Sequence, residues 1–228
     1  MALKVRFLTD SEIESACLEL LRKFAKADDF KLAPPIPIEG VIERYLKIDL
    51  GFDDLRNLLG ASDVLGATWF EHARIRVDSS LEEDIGRSSF TMAHEVGHWW
   101  LHRPQYEADK LTLGLIPLGG AEKGKGIVCR SGAKKEPAEW QADQFASRFL
   151  MPTALMREAF KRLIGEPVVV KGLATARESK TIPLTWRETA SKMMTDGGFT
   201  NVSNEAMRYR LEALHLVVDA DEVAGRLL

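Results

Sequence analysis

Cysteine is scarce, with only Cys17 and Cys129 in 228 residues, far apart and in unrelated contexts. That excludes a disulfide framework and a thiolate metal site, and the simplest expectation for each is a reduced, buried thiol. No apolar run approaches the roughly 18–20 residues needed to cross a bilayer. The first ten residues reach Asp10 before a secretory apolar region can form. Excess charge is missing as well: a formal net charge of −3 and a pI near 6.0 give no bulk attraction to nucleic acid or anionic membrane. Internal repeats and low-complexity tracts are also absent. What is present is a chain 45% hydrophobic and 29% charged, enough to bury a real core. Its length suits one sizeable domain, alone or with a small appendage. The expectation is a soluble, cytoplasmic globular protein.

Elements follow from spacing. Ser11 and Glu14 have capping-box spacing, and Ile13, Ala16, Cys17, Leu20, Leu21 and Phe24 then recur at helical intervals. Pro34, Pro35 and Pro37 break that helix, and a short one follows around Val41 to Leu46. Residues 47–52, 64–70 and 73–78 are β-prone and predict a small, mostly antiparallel sheet. Ser88 or Ser89 can cap a helix running to about His102, where Pro104 is expected to stop it. Residues 111–133 are glycine-rich and read as one long irregular loop. Pro137 suits the first turn of a helix ending near Leu150, and Met151 with Pro152 restarts the chain. Two further helices, 185–194 and 203–214, flank the Gly197-Gly198 turn.

Three of the five histidines crowd into His94, His98 and His102. The first two form an HExxH motif, His94-Glu95-Val96-Gly97-His98. On a helix, residues i and i+4 share one face about 6 Å apart, so both imidazoles can bind one ion. Glu95 can reach a water activated there without being a ligand. Chance places HExxH in a chain this long about once in 150, and here it also sits in a capped helix with apolar Phe90, Ala93, Val96 and Leu101. Gly97, unfavourable inside a helix by up to about 1 kcal/mol, points to close backbone approach or space for a ligand. A catalytic zinc needs a third protein ligand. The metzincin pattern would put glycine at 101 and histidine at 104, where the chain has Leu101 and Pro104. His102 lies about 12 Å along the axis from His94 and about 80° round it, so a straight helix cannot bring all three rings to one ion. Glu139 and Asp143, at i and i+4 beside the apolar stripe of Ala142, Phe145, Ala146 and Phe149, are better placed. Glu139 would complete a His2Glu set while Asp143 orients a ligand histidine; Glu136 or Asp143 as ligand are the alternatives.

The segment Phe90-Thr91-Met92-Ala93-His94-Glu95-Val96-Gly97-His98-Trp99-Trp100-Leu101-His102 resembles the active helix of the ImmA/IrrE family of metallo-endopeptidases. Glu139-Trp140-Gln141-Ala142-Asp143-Gln144-Phe145-Ala146-Ser147-Arg148-Phe149-Leu150-Met151-Pro152 is similar to that family's second signature. The resemblance covers residues 1–152, and extends more weakly to Asn201–Leu214. It implies an α+β, zincin-like fold and a cytoplasmic protease that cuts a helix-turn-helix repressor, releasing the genes it silences. By the same resemblance His94 and His98 are metal ligands, Glu95 is the catalytic residue and Glu139 is the third, gluzincin-type ligand. Trp99-Trp100 and the loop at 111–133 depart from the pattern, and both could alter the substrate groove.

The expected organisation is a peptidase domain over 1–152 and a helical, helix-turn-helix-like segment over 153–228 that packs on it or recognises substrate. The expected cofactor is zinc, with manganese or iron also suited to imidazole and carboxylate. Tyr106, His102 and Arg148 are candidates to contact substrate or steady an oxyanion. A DNA-binding regulator is the rival for the C-terminal segment, with Tyr209 between Arg208 and Arg210 near phosphate. Against it, 181–218 carries balanced charge, a poor footprint for DNA, and Ala206, Met207, Leu211 and Leu214 form a core stripe. A peptidase scaffold kept as a toxin-like binding module is a third reading. Membrane partners are not expected.

Overall fold

The computed structural model describes residues 5–113, 127–130, 136–173, 176 and 181–221. The architecture is α+β, in two compact units. One comprises the chain up to Leu32 with Pro37–Phe149; the other takes Ala33–Ile36 with the chain from Leu150 onward.

In the first unit, α1 (Asp10–Ala27) buries Ile13, Cys17, Leu20, Leu21 and Phe24. Its cap is Thr9, not Ser11. Thr9 and Glu12 satisfy the same spacing two residues earlier, close a capping box, and bring Asp10 into the first turn, where the helix dipole favours an acid. A short α2 (Ile38–Gly40) widens into a π-helical turn over Val41–Tyr45. The strands are β1 (Asp49–Asp53), β2 (Val64–Trp69), β3 (Arg74–Asp78) and β4 (Ile127–Arg130), in the order β1-β3-β2-β4. The sheet is mostly antiparallel, as expected, with one parallel pair. β2 runs antiparallel to β3 and β4, but β1 is parallel to β3. The cause is α3 (Leu55–Leu59), which carries the chain past one strand position so that the tight β2–β3 hairpin inserts beside β1. Asp78, at the end of β3, ties this corner by accepting from the Leu55 and Ser80 amides at 3.2 Å each and from the Ser80 hydroxyl.

Helix α4 (Ile85–Gly97) packs on β2, β3 and β4. Its cap lies four residues before Ser88 and five before Ser89: Asp84 accepts from the Arg87 amide, and Ser88 and Ser89 are buried inside the helix. Pro104 does not end it. A π-helical turn over His98–His102 leads into α5 (Arg103–Leu113), with Pro104 as its second residue. The wider turn takes the preceding carbonyls off the α-helical positions against which a proline ring clashes. The expected loop at 111–133 is thus helix as far as Leu113 and strand over Ile127–Arg130; 114–126 and 131–135 lie outside the described residues. Helix α6 (Pro137–Leu150) carries the second block. Cys17 Sγ donates to the Phe145 carbonyl, Phe7 stacks on Trp140, and Arg148 pairs with Asp10 and Glu14, fastening α1 and the segment before it to α6. The side chain of Cys129 lies outside the described residues.

The second unit holds α7 (Thr153–Leu163), β5 (Val168–Val170), α8 (Leu184–Thr195), α9 (Asn204–Ala213) and β6 (Val217–Asp219), with β5 and β6 paired in parallel. Met207, Leu211 and Leu214 are buried, and Ala206 is half-buried. The arginines beside Tyr209 do not form a phosphate-facing pair. Arg210 is buried and donates to the Met151 carbonyl and Thr153 hydroxyl, while Arg208 lies over the Trp186 ring and donates to Asn204. Among the described residues no helix is long and apolar enough to cross a membrane.

Candidate metal centre

Gly97 is what lets α4 and α6 meet. A Cβ there would stand 3.1 Å from Ala142 Cα and 3.2 Å from the Ala142 carbonyl oxygen, so the helices touch backbone to backbone. Glu139, one turn before Ala142, is thereby brought level with His94 of α4 and with His98, the first residue of the π-helical turn that follows. His94 Nε2 and His98 Nε2 are 3.0 Å apart, Glu139 Oε2 is 3.3 Å from the first and Glu139 Oε1 is 3.2 Å from the second. Among the described residues these three form a group whose ligand atoms all lie within 4.8 Å of one another. Tetrahedral ligands about 2.0–2.1 Å from zinc are separated by about 3.3 Å, so the triangle suits such an ion.

Behind this triangle, Asp143 Oδ1 lies 2.9 Å from His94 Nδ1, one helical turn beyond Glu139. Glu136 is exposed at the start of α6 and is not in the group. Glu95, next to His94, is wholly buried. Its Oε2 accepts from the Thr68 hydroxyl of β2 at 2.5 Å, while Oε1 has no hydrogen-bond partner among the described residues. A buried carboxylate oxygen without a donor is expensive, and here it lies on the residue that HExxH chemistry sets aside for a water. Gly66 of β2 gives it room, since a Cβ at 66 would come within 2.6 Å of Glu95 Oε1. Together the donor set and this orphaned oxygen fit a divalent ion of zinc's kind.

Electrostatics sort the groups. Burial is the largest influence on Glu95 and pushes its carboxyl up to about 7, although His94 and Thr68 pull the other way. Burial pushes His98 down to about 4, which keeps its ring neutral, as a ligand must be. Burial works against ionising Glu139 too, but the facing His94 and His98 rings outweigh it and hold the carboxyl well below the usual range.

The remaining candidates have other partners. His102 is buried behind His98, with the two Nδ1 atoms 3.0 Å apart, and its Nε2 is 3.0 Å from Gln141 Oε1. It faces the protein interior rather than a substrate. Arg148 is committed to α1 and to Gln144, too far along α6 to meet a group at Glu139. Tyr106 donates to Glu71 and packs its ring on Phe70. Trp99 is buried between Phe70 and the Arg103 guanidinium, so it serves the core rather than a groove. Sequence reasoning missed Thr68, Gly66 and Gln141: the first two lie on a strand nearly thirty residues before Glu95, and no local spacing links them to it.

No curated protein matches the chain. The profile of the M78 peptidase family, the IrrE N-terminal-like domain, matches residues 49–175, more than half of the chain. The match runs from β1 past β5 and contains His94, Glu95, His98, Glu139 and Asp143. The chain belongs to the M78 peptidase family, whose IrrE N-terminal-like domain is a metallopeptidase-like domain.

Proposed function

We propose that this protein is a zinc-dependent, cytoplasmic endopeptidase that cuts a specific helix-turn-helix repressor and so derepresses genes. One observation carries the chemistry: His94 Nε2, His98 Nε2 and the Glu139 carboxylate converge within 4.8 Å, next in the chain to a buried Glu95 whose Oε1 lacks a partner among the described residues. The substrate class is supported by the resemblance of both signature blocks to peptidases of that kind. His94, His98 and Glu139 would hold the zinc, which would supply the Lewis acidity for activating a water near neutral pH and polarising a carbonyl. Glu95 Oε1 takes the proton of the attacking water and returns it to the leaving amine. Thr68 holds the other oxygen of that carboxylate, so the base cannot swing away. Asp143 keeps the His94 ring in the orientation that aims Nε2 at the ion. Residues 153–228 recognise the substrate protein; with Arg208 and Arg210 engaged inside their own unit, DNA binding has little to rest on.

The test is a cleavage assay. The zinc-loaded chain is mixed with the helix-turn-helix repressor encoded nearest its gene, beside the Glu95→Gln variant. Cleavage by the wild type alone is the expected result. No cleavage by a metal-loaded wild type would remove the repressor as substrate. A chain that takes up no metal would instead favour the non-catalytic binding module.

A further inference from the structure

We propose that His102 and Gln141 are positioning residues, an uncharged relay that fixes the proton of His98 on Nδ1 and so presents its Nε2 lone pair to the metal; this rests on the metal-centre reading above. The hydrogen-bond chain is anchored on the Arg6 carbonyl, its terminal acceptor. A main-chain carbonyl can only accept, so the 2.8 Å contact from Gln141 Nε2 to the Arg6 oxygen makes that nitrogen the donor and turns Gln141 Oε1 toward His102. An amide oxygen is likewise an acceptor only, and at 3.0 Å it requires His102 to carry its proton on Nε2. A neutral imidazole has one N–H, which leaves His102 Nδ1 bare. That bare nitrogen lies 3.0 Å from His98 Nδ1. Two facing nitrogens at this distance share one proton, and it belongs to His98. The other nitrogen of His98 is then an acceptor, on the edge that meets His94 and Glu139.

Burial makes the relay obligatory. His98 and Gln141 are wholly buried and His102 is 1% exposed, so water cannot replace a missing acceptor. Within the relay no side-chain polar atom lacks a partner. The two ligand histidines are thus backed differently, His94 by the Asp143 carboxylate and His98 by a neutral ring whose tautomer is set two residues further on. The π-helical turn over His98–His102 lies at this point of the helix, with both rings of the relay at its ends.

The test has two parts. In the zinc-loaded chain labelled with 15N in its histidine rings, ring-nitrogen shifts should place the His98 proton on Nδ1 and the His102 proton on Nε2. A His102 protonated on Nδ1 overturns the proposal. Zinc affinity, measured by competition with a chromophoric chelator, should fall about 10–100-fold in His102→Phe. In His102→Asn it should stay close to wild type, because an asparagine oxygen can stand where Nδ1 stood and accept from His98. A packing role alone gives the reverse order, since phenylalanine fills the volume and asparagine leaves a void; that order overturns the proposal too. If the wild-type chain takes up no zinc, the metal-centre reading fails and takes this inference with it. Zinc-binding wild type with an unaffected His102→Phe overturns the relay alone.

Discussion

Single side chains at the centre divide into those that would touch the ion and those that hold them. Asp143 belongs to the second kind. Removing it takes away the carboxylate that orients the His94 ring, so Asp143→Ala should weaken zinc binding about 10–100-fold with little loss of fold, measured by chelator competition beside circular dichroism. Thr68→Val probes the base instead of the ligands. Among the described residues it removes the one donor to a buried Glu95 oxygen whose twin has none. The variant should be less stable by about 1–3 kcal/mol and cleave more slowly, with zinc affinity unchanged; a loss of affinity would mean that Thr68 acts on the ligands rather than on the base. Asp78 is independent of the centre. Burial works against its charge, but donors from Ser80 and Leu55 and the nearby Arg56 outweigh it and hold its pKa below the ordinary aspartate value. A depressed folded-state pKa gives stability that is present above the unfolded value, about 3.9, and lost as pH falls through the folded one. Wild type should therefore exceed Asp78→Asn by about 1–3 kcal/mol near neutrality, with the gap closing below pH 4 in denaturant melts.

At the scale of elements, the active helix was legible because its chemistry is local: i, i+4 spacing alone puts His94 and His98 on one face. Glu139 could be singled out because α6 is amphipathic and carries its acid beside the buried stripe, and because its block resembles the family's second signature. The misplaced ends have a common cause. Thr9 and Ser11 both offer cap chemistry, as do Asp84, Ser88 and Ser89, and which one wins depends on what the following turn buries. Pro104 misled for a different reason, since a widened turn is invisible to a residue-by-residue rule. The parallel β1–β3 pairing was hidden because strand order depends on how α3 routes the chain, not on strand composition. Gly97 was flagged for close approach, and α6 is what approaches. Its replacement tests the helix pair directly. Gly97→Ala would gain up to about 1 kcal/mol of helix propensity, yet its methyl would press on the Ala142 backbone, which cannot step aside as a side-chain tip can. Overpacking of this kind costs about 1–3 kcal/mol. The net expectation is a destabilised chain with weaker zinc binding, since α6 and Glu139 are displaced together; a more stable variant would show that the helices have slack.

At the scale of the whole molecule, the ligands come from two helices more than forty residues apart, so they form a set only in the folded chain. A metal that binds the folded state alone must stabilise it by RT ln(1 + [L]/Kd), about 2.7 kcal/mol at one hundred times Kd. For a chain of this size each kcal/mol raises the melting temperature by about 2–4 °C, so saturating zinc should raise Tm by about 5–10 °C. A chelator should reverse the shift. Glu139→Gln, which keeps the helix but loses the anionic ligand, should lack most of it. Manganese at equal concentration should do less than zinc, following the general order of affinities at nitrogen and oxygen sites. The comparison separates this centre from a solvated cluster of acids, which binds divalent ions weakly and without that ranking. A wild-type Tm indifferent to zinc, manganese and chelator alike would leave the His94, His98 and Glu139 triangle as a packing arrangement, and the hydrolytic chemistry would have no centre from which to act.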